Sequence, residues 1–348
     1  MYLSIIGSPG SGKTTLFQAF SATAGGTASG VAVIDVPDER IDKLAAIFKP
    51  RKIVYGRVEM SDMASFAEGD LKNETIPAKQ LQQMRVSDAF IIVLRNFDNG
   101  LGVDPVAEFQ AIHNEFIFAD LMQIETRLER IKKQGGKKES TALEQERLLL
   151  EQCLAHVGEG RRLATLPLPE QDVKALRGFQ FLSQKPLMVV LNCSEETIKD
   201  ADAMTGQVAA KLPDEVPVVA ACARLEAELA SMDSDDQATF MAEYGLSESL
   251  RGRLIGLAYR TLGLISFLTV GEDECRAWPI RKGIPAQEAA ATIHTDLSDR
   301  FIRAETVAYE DFMCHGDFAG CKKAGVWRLE GKQYIVQDGD IISIRAGA

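Results

Sequence analysis

The chain is predicted to be an α/β protein: a parallel sheet carrying a phosphate-binding turn, an inserted helical pair and a small C-terminal domain of strands. Three observations predict it. The N-terminus runs from an apolar stretch, Tyr2-Leu3-Ser4-Ile5-Ile6, into Gly7-Ser8-Pro9-Gly10-Ser11-Gly12-Lys13-Thr14, and then into Leu16, Phe17 and Phe20 at helical spacing. Unbroken apolar runs at Phe90–Leu94 and Pro186–Leu191 suit parallel strands covered on both faces. Between them, Ile117, Leu121, Ile124, Leu128 and Ile131 repeat at the heptad spacing of paired helices.

The first stretch carries the chemistry. Residues 7–14 satisfy G-x-x-x-x-G-K-[ST], and strand, glycine turn and helix are the context that motif needs. Glycines let backbone N–H groups curl around a phosphate, and the following helix N-terminus adds partial positive charge. Gly10, Ser11, Gly12, Lys13, Thr14 and Thr15 are therefore the candidate phosphate-binding residues. Lys13 reaches the β- and γ-phosphates and is the candidate catalytic residue, and the Thr14 hydroxyl suits Mg²⁺.

Composition excludes several classes. With 348 residues the chain is long enough for two or three domains, and its apolar runs are too short to cross a bilayer. The first strand begins at once, without a leader, so a cytoplasmic protein is expected. A net charge of −11 argues against coating nucleic acid over the whole surface, while leaving room for a local basic face. Six scattered cysteines lack paired spacing, so reduced thiols and no zinc site are expected.

Along the chain, the glycine-rich stretch Ala24–Gly30, with Thr27 and Ser29, stands where a switch loop passes the γ-phosphate. Val31–Ile34 reads as a strand, and Pro37-Asp38-Glu39-Arg40 opens a helix with Ile41, Leu44, Ile47 and Phe48 as its buried stripe. Arg57–Asp62 alternates like a strand and ends on a carboxylate suited to a magnesium-bound water, so Thr14 and Asp62 form the candidate metal pair. GTPases carry D-x-x-G here, but this chain has Ser65 at the glycine and Phe66 where a glutamine often orients water. Slow hydrolysis is expected.

The heptad stripe breaks at Gly135-Gly136-Lys137-Lys138 and returns at Leu143, Leu150, Leu154 and Val157, interrupted by Arg147. An antiparallel helical hairpin follows, and such an arm suits partner contact. After the strand ending at Leu191 comes Asn192-Cys193-Ser194-Glu195, where GTPases carry N-K-x-D. Asn192 can bridge an amine and a ring nitrogen, and Glu195 accepts from donors on a base. Val216–Ala221 reads as the last strand of the sheet, with Cys222 and Ala223 at the purine-contacting position. Beyond Leu264, a hairpin at 265–270 and 276–280, a helix at Pro285–Ile293 and strands at Ala304–Tyr309, Tyr334–Val336 and Ile341–Ile344 predict a β-grasp domain. The expected division is 1–98 and 176–263 for the nucleotide domain, 99–175 for the helical insertion and 264–348 for the C-terminal domain.

Several stretches carry a resemblance to the YchF / Obg-like ATPases. They include Val36-Pro37-Asp38-Glu39-Arg40-Ile41, Cys222-Ala223-Arg224-Leu225-Glu226-Ala227-Glu228-Leu229, Arg276-Ala277-Trp278, Phe301-Ile302-Arg303-Ala304-Glu305 and Tyr334-Ile335-Val336-Gln337-Asp338-Gly339-Asp340. The resemblance implies a GTPase-like P-loop NTPase domain, a coiled-coil insertion and a C-terminal TGS domain. It further implies ATP with Mg²⁺, Asn192 and Glu195 in an N-x-x-E motif that prefers ATP to GTP, low turnover, and a ribosome or translation factor as partner. Chain-specific departures fall at Gly10-Ser11, where the family has Asn-Val, at Ser65, and in a shortened glycine-rich switch at 67–73. They motivate the alternatives of a nucleotide-bound scaffold without turnover and a GTP-specific switch. Arg300, Arg303, Lys322, Lys323, Arg328 and Lys332 are candidates for a basic contact face.

Overall fold

A computed structural model describes residues 1–21, 30–63, 65, 69–70, 73, 76–100, 102–134, 141–243 and 249–347. The expected switch residues Thr27 and Ser29, the Phe66 position and the turn at 135–138 lie outside these residues. Two compact units are present: residues 1–32 with 59–250, and residues 33–58 with 251–348. Residues 33–58, expected with the nucleotide domain, thus count with the C-terminal unit, because a strand within them hydrogen-bonds there.

The described strands are β1 (Tyr2–Ile6), β2 (Val31–Val36), β3 (Lys52–Val54), β4 (Gly56–Asp62), β5 (Ala89–Asn96), β6 (Leu187–Cys193), β7 (Val218–Ala221), β8 (Leu264–Thr269), β9 (Glu274–Arg281), β10 (Phe301–Ala308), β11 (Arg328–Glu330) and β12 (Asp340–Ala346). The first sheet runs β2-β4-β1-β5-β6-β7, and β1 pairs in parallel with both β4 and β5. β5, β6 and β7 continue the parallel ladder. After β1 the chain goes to one side for β2 and β4, then to the other for β5 to β7. In such a sheet the order reverses beside β1, and ligands bind outside the carboxyl ends of the strands at that point.

Burial explains why β5 and β6 read as continuous apolar runs. Phe90 to Leu94 and Leu187 to Leu191 are all buried, and Phe90, Ile92, Leu94, Leu187, Val189 and Leu191 pack with Phe109, Ile112 and Phe116 of the helix Pro105–Gln134 in one core. That helix pairs with the helix Thr141–Gly158. The whole expected stripe, Ile117, Leu121, Ile124, Leu128 and Ile131 with Leu143, Leu150, Leu154 and Val157, packs into one cluster. Arg147, which interrupts the stripe, turns to Glu144 and Glu151 on its own helix, at 2.6 and 2.5 Å.

Asp120, fully buried on the long helix, accepts from the backbone N–H groups of Leu182 (2.8 Å) and Ser183 (2.7 Å) and so ties the insertion to the loop before β6. Burial pushes its carboxyl from 3.8 up to about 6, opposed by the bonds from Ser183 and Leu182 and by the charge of Arg85. A raised carboxyl stabilises the fold below its unfolded value, and that contribution, about 3 kcal/mol, is lost as pH rises through about 6. Asp120→Asn is expected to flatten the fall of unfolding free energy between about pH 4 and pH 6. Urea unfolding across that range checks it, and an unchanged slope would rule it out.

The second sheet runs β11-β10-β12-β8-β9-β3, with β8 and β9 as an antiparallel hairpin and β3 parallel to β9. The helix Glu39–Phe48 in this unit is N-capped by Asp38, whose side chain accepts from the N–H of Arg40, and ends at Lys49 in the left-handed region. Ile41, Leu44 and Ala45 form its buried face, whereas Ile47, expected in the stripe, is 44% exposed. The helix expected from Pro285 spans Ala286–Ile293. Tyr334–Val336, expected as a strand, is not one: its backbone bonds singly to the start of that helix and the segment before it, Ala286 N–H to Tyr334 O and Val336 N–H to Ile284 O. β10 pairs antiparallel with β11 on one side and with β12 on the other. Two short helices absent from the expectation, Tyr309–His315 and Phe318–Ala324, end on Gly316 and Gly325 at positive φ.

Candidate nucleotide site

Residues 7–14 form the turn between β1 and the helix Lys13–Ser21. Gly10 and Gly12 adopt φ of 77° and 89°, where a Cβ is strained. At Gly12 the space is closed as well, since an added Cβ would lie 2.1 Å from the side-chain nitrogen of Asn192. That close approach lets Asn192 Nδ2 donate to the Ser11 carbonyl at 2.8 Å, while its Oδ1 accepts from the Ala223 N–H at 3.0 Å. Asn192 stands at the carboxyl end of β6 opposite Ala221 of β7, so the register of the ladder sets its reach.

Both ends of this side chain are thus committed to backbone, and so is the Ala223 N–H. The side chain is thus a brace between the glycine turn and the 222–223 loop, and it keeps a second N–H and a second lone pair for the base contact expected of it. Asn192→Ala leaves a buried N–H and a carbonyl without partners and is expected to cost about 1–3 kcal/mol of stability, measurable by urea unfolding.

Lys13 is buried to 8% exposure, and its ammonium donates to the Ser65 hydroxyl. Thr14 Oγ1 donates to Asp62 Oδ2 at 2.9 Å, because β4 lies beside β1 and ends at that height. The other oxygen, Asp62 Oδ1, is buried without a partner among the described residues, as is the Ser11 hydroxyl. No group of three His, Cys, Asp or Glu side chains suited to a metal occurs among the described residues. A hydroxyl and a single carboxylate with an open oxygen suit a hard cation that keeps its waters and takes phosphate oxygens, which describes Mg²⁺.

Beyond the turn opens a cleft of about 680 Å³. Gly12, Thr15, Asn192, Glu195, Cys222 and Ala223 all line it. Glu195 Oε1 lies 3.1 Å from Arg224 Nε. Burial raises the thiols of Cys193 and Cys222, both buried, so they behave as small apolar wall residues. Sequence reasoning missed Asn96, Phe97, Asp98 and Val103 on the same cleft. The available signal is positional, since β5 lies between β1 and β6 and its carboxyl end must open on the same side. Arg95 fixes that segment: its backbone N–H and Nε both donate to Glu108, at 3.1 Å each, and its guanidinium also reaches Asn99.

Comparison with known proteins places this geometry. Residues 264–347 match the YchF-GTPase_C family model, described as a protein of unknown function (DUF933). The chain is 35% identical to the ribosome-binding ATPase YchF of Bacillus subtilis and 34% identical to that of Haemophilus influenzae, covering 98% of both chains in each case. The protein of that name from Escherichia coli O157:H7 is 34% identical over 97% of each chain. Among solved structures, the Schizosaccharomyces pombe YchF GTPase superposes with a TM-score of 0.87 at 24% identity, covering 99% of this chain and 97% of that one. A GTP-binding protein from Pyrococcus horikoshii OT3 superposes with a TM-score of 0.63 at 18% identity, covering both chains fully. The superpositions carry the P-loop NTPase fold, and identity sustained along nearly the whole length carries the kinship: this chain belongs to the YchF family.

Proposed function

We propose that the chain is a magnesium-dependent ATPase of low intrinsic turnover that acts on the ribosome. The observation that carries the reading is the arrangement of Lys13 and the Thr14–Asp62 pair around a turn whose Gly10 and Gly12 hold positive φ, at the point where the strand order reverses. Relatives named as ribosome-binding ATPases support the choice of nucleotide and partner.

In this reading Gly10, Ser11 and Gly12 present backbone N–H groups to the phosphates, with Thr15 at the entrance to the base cleft. Lys13 exchanges the neutral Ser65 hydroxyl for charged phosphate oxygens, an ion pair in place of a bond to a neutral acceptor. Thr14 and Asp62 would hold Mg²⁺, which when bound supplies charge neutralisation across the terminal phosphates. Cys222 and Ala223 wall the base, and Asn192 holds that wall against the turn. A serine hydroxyl is a poor general base near neutral pH, so the side chain seen beside Lys13 supports slow hydrolysis. Phosphate release in a single turnover, abolished by Lys13→Ala, tests the enzymatic reading. Binding without any Lys13-dependent release would favour a nucleotide-bound scaffold instead.

Partner contact is assigned to the helical insertion, residues 99–175, and to a C-terminal TGS domain, residues 264–348. Two of the six candidate basic residues are engaged locally: Arg328 with Glu330 and Asp340, and Lys322 over the Trp327 ring. Charge reversal at Arg300, Arg303, Lys323 and Lys332 together is expected to reduce co-sedimentation with ribosomes several-fold and to weaken its salt dependence. Unchanged co-sedimentation would move the contact to the helices.

A further inference from the structure

An ionised carboxylate is an acceptor at both oxygens. Guanine meets such a group with two adjacent donors, the ring N1–H and the exocyclic amine. Adenine offers one amine donor beside a ring-nitrogen acceptor. A free glutamate at the base edge would therefore select guanine. Glu195 is not free in this way. Its Oε1 is 3.1 Å from Arg224 Nε, and both residues line the 680 Å³ cleft.

Two carboxylates flank the guanidinium. Arg224 follows Ala223, whose N–H is pinned to Asn192, so its backbone is fixed against the cleft wall. Glu228, one turn along the same helix, lies 3.5 Å from Arg224 Nε. At 76% and 37% side-chain exposure, the Arg224–Glu195 pair adds little to folding stability. A base entering the cleft would strip water from it and strengthen it.

We propose that Arg224 is a specificity-determining residue for the base. By pairing with Glu195 it sets guanidinium N–H donors beside a carboxylate acceptor. That mixed edge matches the adenine amine and its neighbouring ring nitrogen. Guanine sets one of its two adjacent donors against guanidinium N–H groups, and leaving a buried donor unpaired is what makes polar sites selective. The proposal rests on the cleft being the nucleotide site and names the side chain that sets its preference.

The test is titration of the full-length protein and its Arg224→Ala and Arg224→Lys variants with Mg-ATP, Mg-GTP and Mg-ITP. Arg224→Ala is expected to lower the GTP-to-ATP ratio of dissociation constants by roughly tenfold. The gain for GTP should exceed that for ITP, which lacks the exocyclic amine. Arg224→Lys keeps the charge without the planar fork and should fall between wild type and Arg224→Ala. An unchanged ratio, or equal weakening of all three nucleotides, would overturn the role of Arg224 while leaving the site in place. Wild-type protein that binds no nucleotide, or binds it unaffected by Lys13→Ala, would overturn the site and the proposal with it.

Discussion

Lys13→Ala is expected to weaken Mg-ATP binding by at least ~100-fold. Lys13 is 8% exposed and its ammonium faces a neutral hydroxyl on Ser65, so an incoming phosphate is a far better partner than the one it has. Opposite charges this shielded from water interact several-fold more strongly than in bulk solvent. The fold should not suffer, because the substitution removes a buried cation that has no carboxylate bonded to it among the described residues. Equal or higher thermal stability combined with lost binding would separate a ligand contact from a structural one. Lys13→Arg should not rescue, since the planar fork does not fit a pocket shaped for a point charge. Calorimetric titration with thermal melting of both variants checks all three statements.

The second large effect is expected at the Thr14–Asp62 pair. Asp62→Ala removes the oxygen at 2.9 Å from the Thr14 hydroxyl and the buried second oxygen that has no partner among the described residues. Single-turnover phosphate release should fall by about 10²–10³-fold, the scale seen when one electrostatic contributor to a transition state is removed. Triphosphate affinity should become nearly independent of magnesium. Thr14→Ser keeps the hydroxyl and should retain most activity, whereas Thr14→Ala should behave like Asp62→Ala. Magnesium titration of nucleotide binding reads the distinction. If Asp62→Ala kept its magnesium dependence, the metal role given to this pair would be wrong.

What was legible in the chain depended on how local its cause is. Residues 7–14 specify their own conformation, because two glycines at positive φ and a helix start at Lys13 require nothing distant. The stripes at 117–131 and 143–157 were likewise readable, since each helix face announces its burial through spacing and the two faces share one cluster. The brace at Asn192 was not, because its partners Ser11 and Ala223 lie 181 and 31 residues away and meet it only through sheet register. The same holds for Asn96–Asp98, whose place on the cleft follows from strand order. Tyr334–Val336 has strand-like residues, yet Tyr334 donates its hydroxyl to the buried Asp340 at 2.7 Å and its backbone bonds outside any ladder. Local propensity loses there to a tertiary polar contact.

The measurement that reaches the central claim most directly is a calorimetric titration of Mg-ATP and Mg-GTP into the wild-type protein and Lys13→Ala side by side. Saturable binding of both triphosphates to wild type, tighter for ATP, is expected, with both lost in the variant. Binding that survives Lys13→Ala, or wild-type protein silent to either nucleotide, would contradict it.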